Sequence, residues 1–449
     1  MTDIPRSITN SLSEWSIQSD RKVLLLRGPR QIGKTYSVRR FASARFEHVL
    51  EVNFLADKRI ASLFDGDLDV DGIVAALSAT YNVPIVEGKS LLFFDEIQEC
   101  PAALGALRFF YENRPGLHVV ATGSLLEFAL EELPSFGVGR VESLYMHPVT
   151  FDEFLAAQAL DGLLNELARA HAGRPLAAPV HAKLWSMFRD FLFLGGLPEA
   201  VSRFLDARDY NNVQRIIDFL RTGFDDDFTK YRRRVPATRL REVLRSVSAQ
   251  AGKKFVHSHA YPDAGAGQVH QALELLRMAS LVHKIHHTAA NGIPLGGEID
   301  PKKFKAIPFD HGIYQRMIGV TPAELLQGDF DPVNKGALAE VYAGCALIAH
   351  APPRAPAELF YWHREAKSSN AEVDHVVVID RYVVPIEVKS GTKGAMQSMR
   401  RFLAEKSGSH QKSPIGIRLS KENFGRMDNI LIVPLYAISQ LDRLVKRES

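Results

Sequence analysis

The sequence predicts an α/β chain in three parts: a core built on a parallel sheet, a helical middle, and a second α/β unit toward the C-terminus. Three observations predict it. Largely apolar runs of strand length (23–26, 49–54, 91–94 and 117–121), broken only at Glu51, Asn53 and His118, alternate with helical segments up to residue 150, as strands of a sheet buried on both faces do. From about 150 to 227 the pattern turns helical, with Phe151, Phe154 and Leu155 at helix spacing. LFLGGLPE (192–199) then interrupts it with two glycines and a proline. After the turn at Asp331 and Pro332 come a helix (336–350), strands (358–363, 372–379, 382–389), a helix (393–405) and two further strands. At 449 residues the chain needs more than one core. The expected boundaries are 1–160, 161–227, 228–330 and 331–449.

The first element with chemical content is GPRQIGKT (28–35), a full match to G-x-x-x-x-G-K-[ST] between the strand VLLL and the helix-like TYSVRRFA. In a chain this long, chance produces such a match only a few times in ~100. Glycines let successive backbone N–H groups face phosphate oxygens, and the start of a helix adds its dipole. The cradle comprises Gly28, Pro29, Arg30, Gln31, Ile32, Gly33, Lys34, Thr35 and Tyr36. Lys34 is expected to reach the β- and γ-phosphates of ATP, and the Thr35 hydroxyl to ligate Mg²⁺.

SLLFFDE (90–96) supplies the second element. It brings Asp95 to the C-terminal end of a central strand, where sheets of this class bind ligands. Asp95 is expected to hold the magnesium shell, and Glu96 to orient and deprotonate water.

With these residues in place, the chain resembles the AAA-type ATPases that carry a C-terminal domain of unknown function related to restriction-nuclease folds. The resemblance rests on GPRQIGKT (28–35), LLFFDEIQECP (91–101), VVATGSLL (119–126), GRVESLYMHPVTFDEFL (139–155), GGLPEAV (195–201), EVD (372–374) and IEVKSG (386–391). It implies a polar sensor on the strand after the acidic pair, for which Thr122 and Ser124 are the matching positions, although Asn is commoner there. It also implies that Arg140 supplies positive charge to the γ-phosphate, with Arg30 as a second candidate.

In the basic segment 228–256, Lys230, Arg232, Arg233, Arg234, Arg239, Arg241, Arg245, Lys253 and Lys254 stand against Glu242 alone, a balance of +8 in a chain whose total is +3. Asp225, Asp226 and Asp227 lie just ahead of it. A helix follows at 268–276, with Val269, Ala272, Leu273 and Leu276 on one face, and then the hairpin-like VHKIHHTAANGIP (282–294). This order suggests a winged helix-turn-helix holding double-stranded DNA; the alternative is a solvated face docking on a protein. His283, His286 and His287 are explained by strand alternation.

The last element is EVDHVVVID followed by RYVVPIEVKSG. Alternation puts Glu372 and Asp374 on one face of the first strand, and Glu387 and Lys389 on one face of the second. Pairing about Arg381 would converge them as in PD-(D/E)xK nucleases, where carboxylates bind Mg²⁺ and the lysine steadies water. That resemblance adds Glu340 of GALAEVYAG as a helix-borne ligand. Glu-Val replaces the eponymous Pro-Asp, so two readings stay open: a nuclease site of Asp374, Glu387, Lys389 and Glu340, or a catalytically silent module for binding or self-association.

Bulk properties bound the rest. Hydrophobic residues at 46% and charged residues at 24% match a soluble globular protein. Cys100 and Cys345 lack partners at metal spacing, so a disulfide framework and a zinc site are not expected. No apolar run spans a bilayer and the start lacks an h-region, so the expected address is the cytoplasm, away from membranes.

Overall fold

The apolar runs of the first third become neighbours in one sheet. In the computed structural model, β1 (Val23–Arg27), β2 (His48–Asn53), β3 (Ser90–Asp95), β4 (His118–Thr122) and β5 (Val141–Tyr145) run parallel in the order β2-β3-β4-β1-β5. The structure describes every residue except 1, 67, 133–136, 138, 229–234, 262–264, 327–335, 365–370, 390–395, 407–413 and 449. All residues of β3 and β4 are buried. Helices Val70–Tyr81 and Pro101–Asn113 cover one side, and their Leu77, Leu104, Leu107 and Phe110 join Leu25, Val52 and Phe94 in a continuous core. Local chemistry sets their ends: the Asp69 side chain accepts from Asp71 N to start the first, and Pro101 opens the second.

This compact unit comprises Pro5–His147 and, from far along the chain, Pro352–Ala357. The returning segment lies against β5: Tyr145 N donates to Pro353 O at 2.7 Å, and Arg354 pairs with Glu142. A sheet edge with open backbone groups is thereby covered.

The second unit holds Met1–Ile4, Pro148–Ala351 and Glu358–Ser449. Thr150 and Glu153 form a reciprocal capping box at the head of helix Phe151–Ala156, the first of several helices that run through Tyr210–Asp227. The Gly-Gly-Leu-Pro interruption is a crossing point of backbones. The Asp310 carboxylate accepts from Gly196 N at 2.7 Å and from Gly312 N and Ile313 N at 2.9 Å each. A Cβ at Gly195 would lie 2.7 Å from Gly312 Cα, and one at Gly196 would lie 2.6 Å from Val149 O. Only glycine fits at both positions.

Helices Ala237–Ala249, His257–Ala260 and Ala266–Met278 precede β6 (Val282–Thr288) and β7 (Ile299–Pro308). Val269, Ala272, Leu273 and Leu276 are buried, as their spacing predicts. Residues 229–234, with Lys230 and Arg232–234 of the basic run, lie outside the described residues. The expected hairpin differs from a free-standing wing. It is one end of a mixed eight-stranded sheet completed by β8 (Leu359–His363), β9 (Glu372–Ile379), β10 (Tyr382–Val388), β11 (Gly416–Ser420), β12 (Gly425–Met427) and β13 (Ile430–Pro434). The order is β12-β13-β11-β10-β9-β8-β6-β7. β6 pairs in parallel with β8, which leaves β7 as the outer strand, bridged at Lys305 by Lys254. β9 and β10 form the expected hairpin, turning at Asp380 in a left-handed conformation. Three strands, not two, follow helix Gln397–Lys406. Among the described residues no helix is long and apolar enough to cross a membrane.

Candidate functional site

The loop after β1 is built by its neighbours as much as by its own glycines. Gly28 has φ +139°, and a Cβ there would sit 2.2 Å from Met146 O; Gly33, at φ +87°, begins helix Lys34–Arg45. Ile32 is fully buried, and the Arg6 guanidinium donates to its carbonyl at 2.7 Å while also donating to His147 O. Gln31 takes a left-handed φ of 64°. Tyr36, 54% exposed, is presented one residue beyond Thr35.

Lys34 is 7% exposed, and its ammonium donates to Gly28 O at 2.8 Å and Pro29 O at 2.7 Å. Burial lowers its pKa to about 8, opposed by Glu96 and Asp95 and reinforced by the nearby Arg30 charge. The cation is therefore desolvated and held by two carbonyl dipoles, a setting that a phosphate would stabilise. Thr35 Oγ1 donates to Asp95 Oδ1 at 3.0 Å, and Thr122 Oγ1 donates to the same oxygen. Asn53, register partner of Asp95 on β2, donates to Asp95 Oδ2 at 3.0 Å; its own oxygen accepts from Leu55 N and Ala56 N, which fixes the amide orientation. A hydroxyl beside a fixed carboxylate is the donor set magnesium uses alongside phosphate oxygens, so the residues fit an ATP–Mg²⁺ ligand.

Glu96 sits in a left-handed conformation, φ 50° and ψ 43°, which is costly for a residue with a Cβ and concentrates at functional sites. Its carboxylate accepts from Gln98 Nε2 at 2.6 Å and Ser124 Oγ at 3.2 Å. The two sensor positions thus divide, Thr122 on Asp95 and Ser124 on Glu96. A Cβ at Gly123 would lie 2.2 Å from Gln98 Oε1, so glycine there makes room for Gln98.

Arg140 lies away from the loop of its own chain. Val141 is opposite Val23 and Tyr145 opposite Arg27 in a parallel pair. Arg140 therefore lies at the end of the sheet where β1 begins, and the loop follows β1 at the other end. The two ends are separated by about 13 Å, at about 3.3 Å per residue. Arg140 pairs instead with Glu112 at 3.0 Å. Arg6 and Asn53 lie outside the quoted motifs, and Gln98, inside LLFFDEIQECP, had no role assigned; the one available signal at Asn53 was a polar residue near the end of a largely apolar run, as Asp95 is.

The second group of charges lies on β9, β10 and helix Gly336–Ala349. Val388 N donates to Asp374 Oδ2 at 2.8 Å, and Lys389 Nζ is 2.5 Å from Glu387 Oε1. Lys305 of β7, absent from the sequence expectation, enters the group at 2% exposure. Its ammonium is 2.5 Å from Glu372 Oε1, 3.8 Å from Glu340 Oε2 and 4.0 Å from Asp374 Oδ1. Burial opposes its charge, but Asp374, Glu340 and Glu372 together hold its pKa above the usual lysine value. Burial and the Asp374 charge push Glu340 up to about 8, against the pull of Lys305. Burial likewise raises Asp374. The position expected to take Mg²⁺ among Glu340, Asp374 and Glu387 thus has an ammonium beside two of the three, and the third is held by Lys389. Among the described residues no three His, Cys, Asp or Glu side chains are gathered as a metal's ligand set. His283, His286 and His287 lie on β6.

Residues 20–155 match a family described as an AAA domain; residues 186–324 and 335–438 match two domains of unknown function, DUF8612 and DUF4143. No curated protein matches the chain. Among solved structures it is similar to the Walker-type ATPase of Pyrococcus abyssi, at 14% identity over 70% of this chain and 96% of that one, TM-score 0.45. It is also similar to the Aeropyrum pernix ORC2 protein in its ADP form (14% identity, 75% and 95% covered, TM-score 0.32). A third is the Aeropyrum pernix ORC1 protein in complex with DNA (15% identity, 67% and 86% covered, TM-score 0.26).

Proposed function

From an AAA-type P-loop domain at residues 20–155, we propose that this chain binds ATP with Mg²⁺ and hydrolyses it. The observation that carries the reading is the buried Lys34 ammonium, satisfied by carbonyls of its own loop and set beside the Thr35–Asp95 pair. Thr35 and Asp95 would hold magnesium, which when bound neutralises charge on the β- and γ-phosphates. Lys34 exchanges its two carbonyls for phosphate oxygens. Glu96, steadied by Ser124 and Gln98, orients water and takes its proton. Calorimetric titration with ATP and Mg²⁺ tests this. Lys34→Ala is expected to bind about tenfold to a hundredfold more weakly, the loss of one charge-assisted hydrogen bond. Wild type giving no binding heat ends the proposal.

A coupled activity is supported by the three helices ahead of β6 and β7, the order of a winged helix-turn-helix. Gln268, His270 and Gln271 are exposed near the start of the third helix, and Lys253 and Lys254 are exposed between the first two. We infer that this face holds the backbone of double-stranded DNA and that nucleotide turnover responds to it. Replacing Lys253 and Lys254 with Gln is expected to weaken DNA binding for all sequences. It should also lower the slope of log affinity against log salt by about 1 for each phosphate no longer neutralised. An unchanged slope, with ATP turnover indifferent to DNA, would instead give this face to a protein partner or to self-association.

A further inference from the structure

The group around Asp374 contains a cation that a metal site has no use for. Glu340, Glu372, Asp374 and Glu387 supply four carboxylates, and Lys305 and Lys389 answer with two ammonium groups. Most of their oxygens are engaged. Glu387 gives one oxygen to Lys389 and keeps the other buried without a partner, Asp374 spends one oxygen on Val388 N and turns the other toward Lys305, Glu372 contacts Lys305 directly, and Glu340 lies 3.8 Å from the same ammonium. Magnesium demands short, near-octahedral oxygen contacts and gives up its water reluctantly. An ammonium among three carboxylates denies it that space and repels it.

Lys305 is not a surface chain that swings in by chance. Its backbone is fixed on both sides, opposite Ile285 on β6 and bridged to Lys254. The Tyr361 ring lies 5.2 Å from its nitrogen. Moving the ammonium aside would leave a buried charge unpaired, and unpaired buried charges are strongly disfavoured.

We propose that Lys305 is the resident counter-ion of the Glu340–Glu372–Asp374 carboxylates in place of a divalent metal, so that the C-terminal module is a non-cleaving binding unit. The charge that a metal brings from solution is supplied here by β7, the outer strand next to the three-helix segment. One side chain thereby ties β7, at the end of the sheet, to β9 in its middle.

Mn²⁺ binding to the nucleotide-free chain, followed by calorimetry and thermal unfolding, tests the assignment in wild type, Asp374→Asn, Lys305→Met and Lys305→Met with Asp374→Asn. Wild type and Asp374→Asn are expected to respond to Mn²⁺ alike. Lys305→Met keeps the length of the chain without its charge and is expected to bind Mn²⁺ at least tenfold more tightly than wild type. At a concentration of one hundred times its dissociation constant, Mn²⁺ should raise the Tm of this variant by about 3–4 °C, and the added Asp374→Asn should abolish the rise. Wild-type Mn²⁺ binding that Asp374→Asn loses would overturn the proposal. So would a folded Lys305→Met without any Asp374-dependent gain, and so would metal-dependent nicking of plasmid by wild type that Asp374→Asn abolishes. Should Lys305→Met fail to fold even with Mn²⁺, the comparison of wild type with Asp374→Asn decides alone.

Discussion

Glu96→Gln is expected to bind ATP as well as wild type and to hydrolyse it about a hundredfold to ten-thousandfold more slowly, the range over which a positioned general base contributes. The amide has the size of the carboxylate and can still accept from Gln98 and Ser124, so the strained backbone at φ 50° keeps its support. What it lacks is a site for the proton that water must lose. Binding should hold or tighten, because one negative charge leaves the neighbourhood of the incoming phosphates. Single-turnover hydrolysis beside an equilibrium titration separates the two effects. Turnover within threefold of wild type would remove Glu96 from the chemistry, whatever happened to affinity.

Asp310→Ala is expected to have the largest effect on stability, about 3 kcal/mol or more. The carboxylate is buried and satisfies three backbone N–H groups at once, those of Gly196, Gly312 and Ile313. Truncation leaves all three donors without a partner where glycines bring two backbones too close for a side chain to compensate, and each buried unsatisfied donor costs about 1–3 kcal/mol. Amide hydrogen exchange reads this locally, which suits a chain with more than one unit better than a single melting curve. Protection over residues 195–197 and 311–313 should fall by about a hundredfold, with Asp310→Asn in between because its amide keeps one acceptor oxygen. Unchanged exchange in the alanine variant would mean that the crossing is held by packing alone.

Much of the first unit could be read in advance because its physics is local. A parallel sheet buried on both faces writes largely apolar runs, and β1 to β4 begin and end within one residue of those runs. The nucleotide loop was legible for a related reason: its glycines meet backbone needs that few other residues meet. Asp95 and Glu96 followed from their place at the end of such a run. The place of Arg140 was not legible, because position along the chain does not say which end of a parallel sheet a residue occupies; the register of β5 against β1 does.

The second unit hid more. β6 and β8 pair although roughly 70 residues separate them, and no local pattern announces a partner that distant. Lys305 is one of three lysines in PKKFK (301–305). Only the register of β7 and the fold of β9 onto β10 set it apart, burying it while Lys302 stays at the surface. The carboxylates could be found by alternation along two adjacent strands, but their counter-ion arrives from the outer strand at the end of the sheet.

The segment Pro352–Ala357 has a consequence for how the protein is made. Tyr145 and Pro353 are separated by roughly 200 residues, so at about 5–20 residues per second the ribosome needs about 10 to 40 seconds to deliver the partner of β5 after β5 itself. During that interval the first unit has its loop and its acidic pair but still offers an open strand to any neighbouring nascent chain. The polypeptide therefore covers the edge of its earliest sheet only after some three-quarters of the chain has been made, and a message truncated before codon 352 would yield a nucleotide-loop unit that is sticky rather than merely shorter.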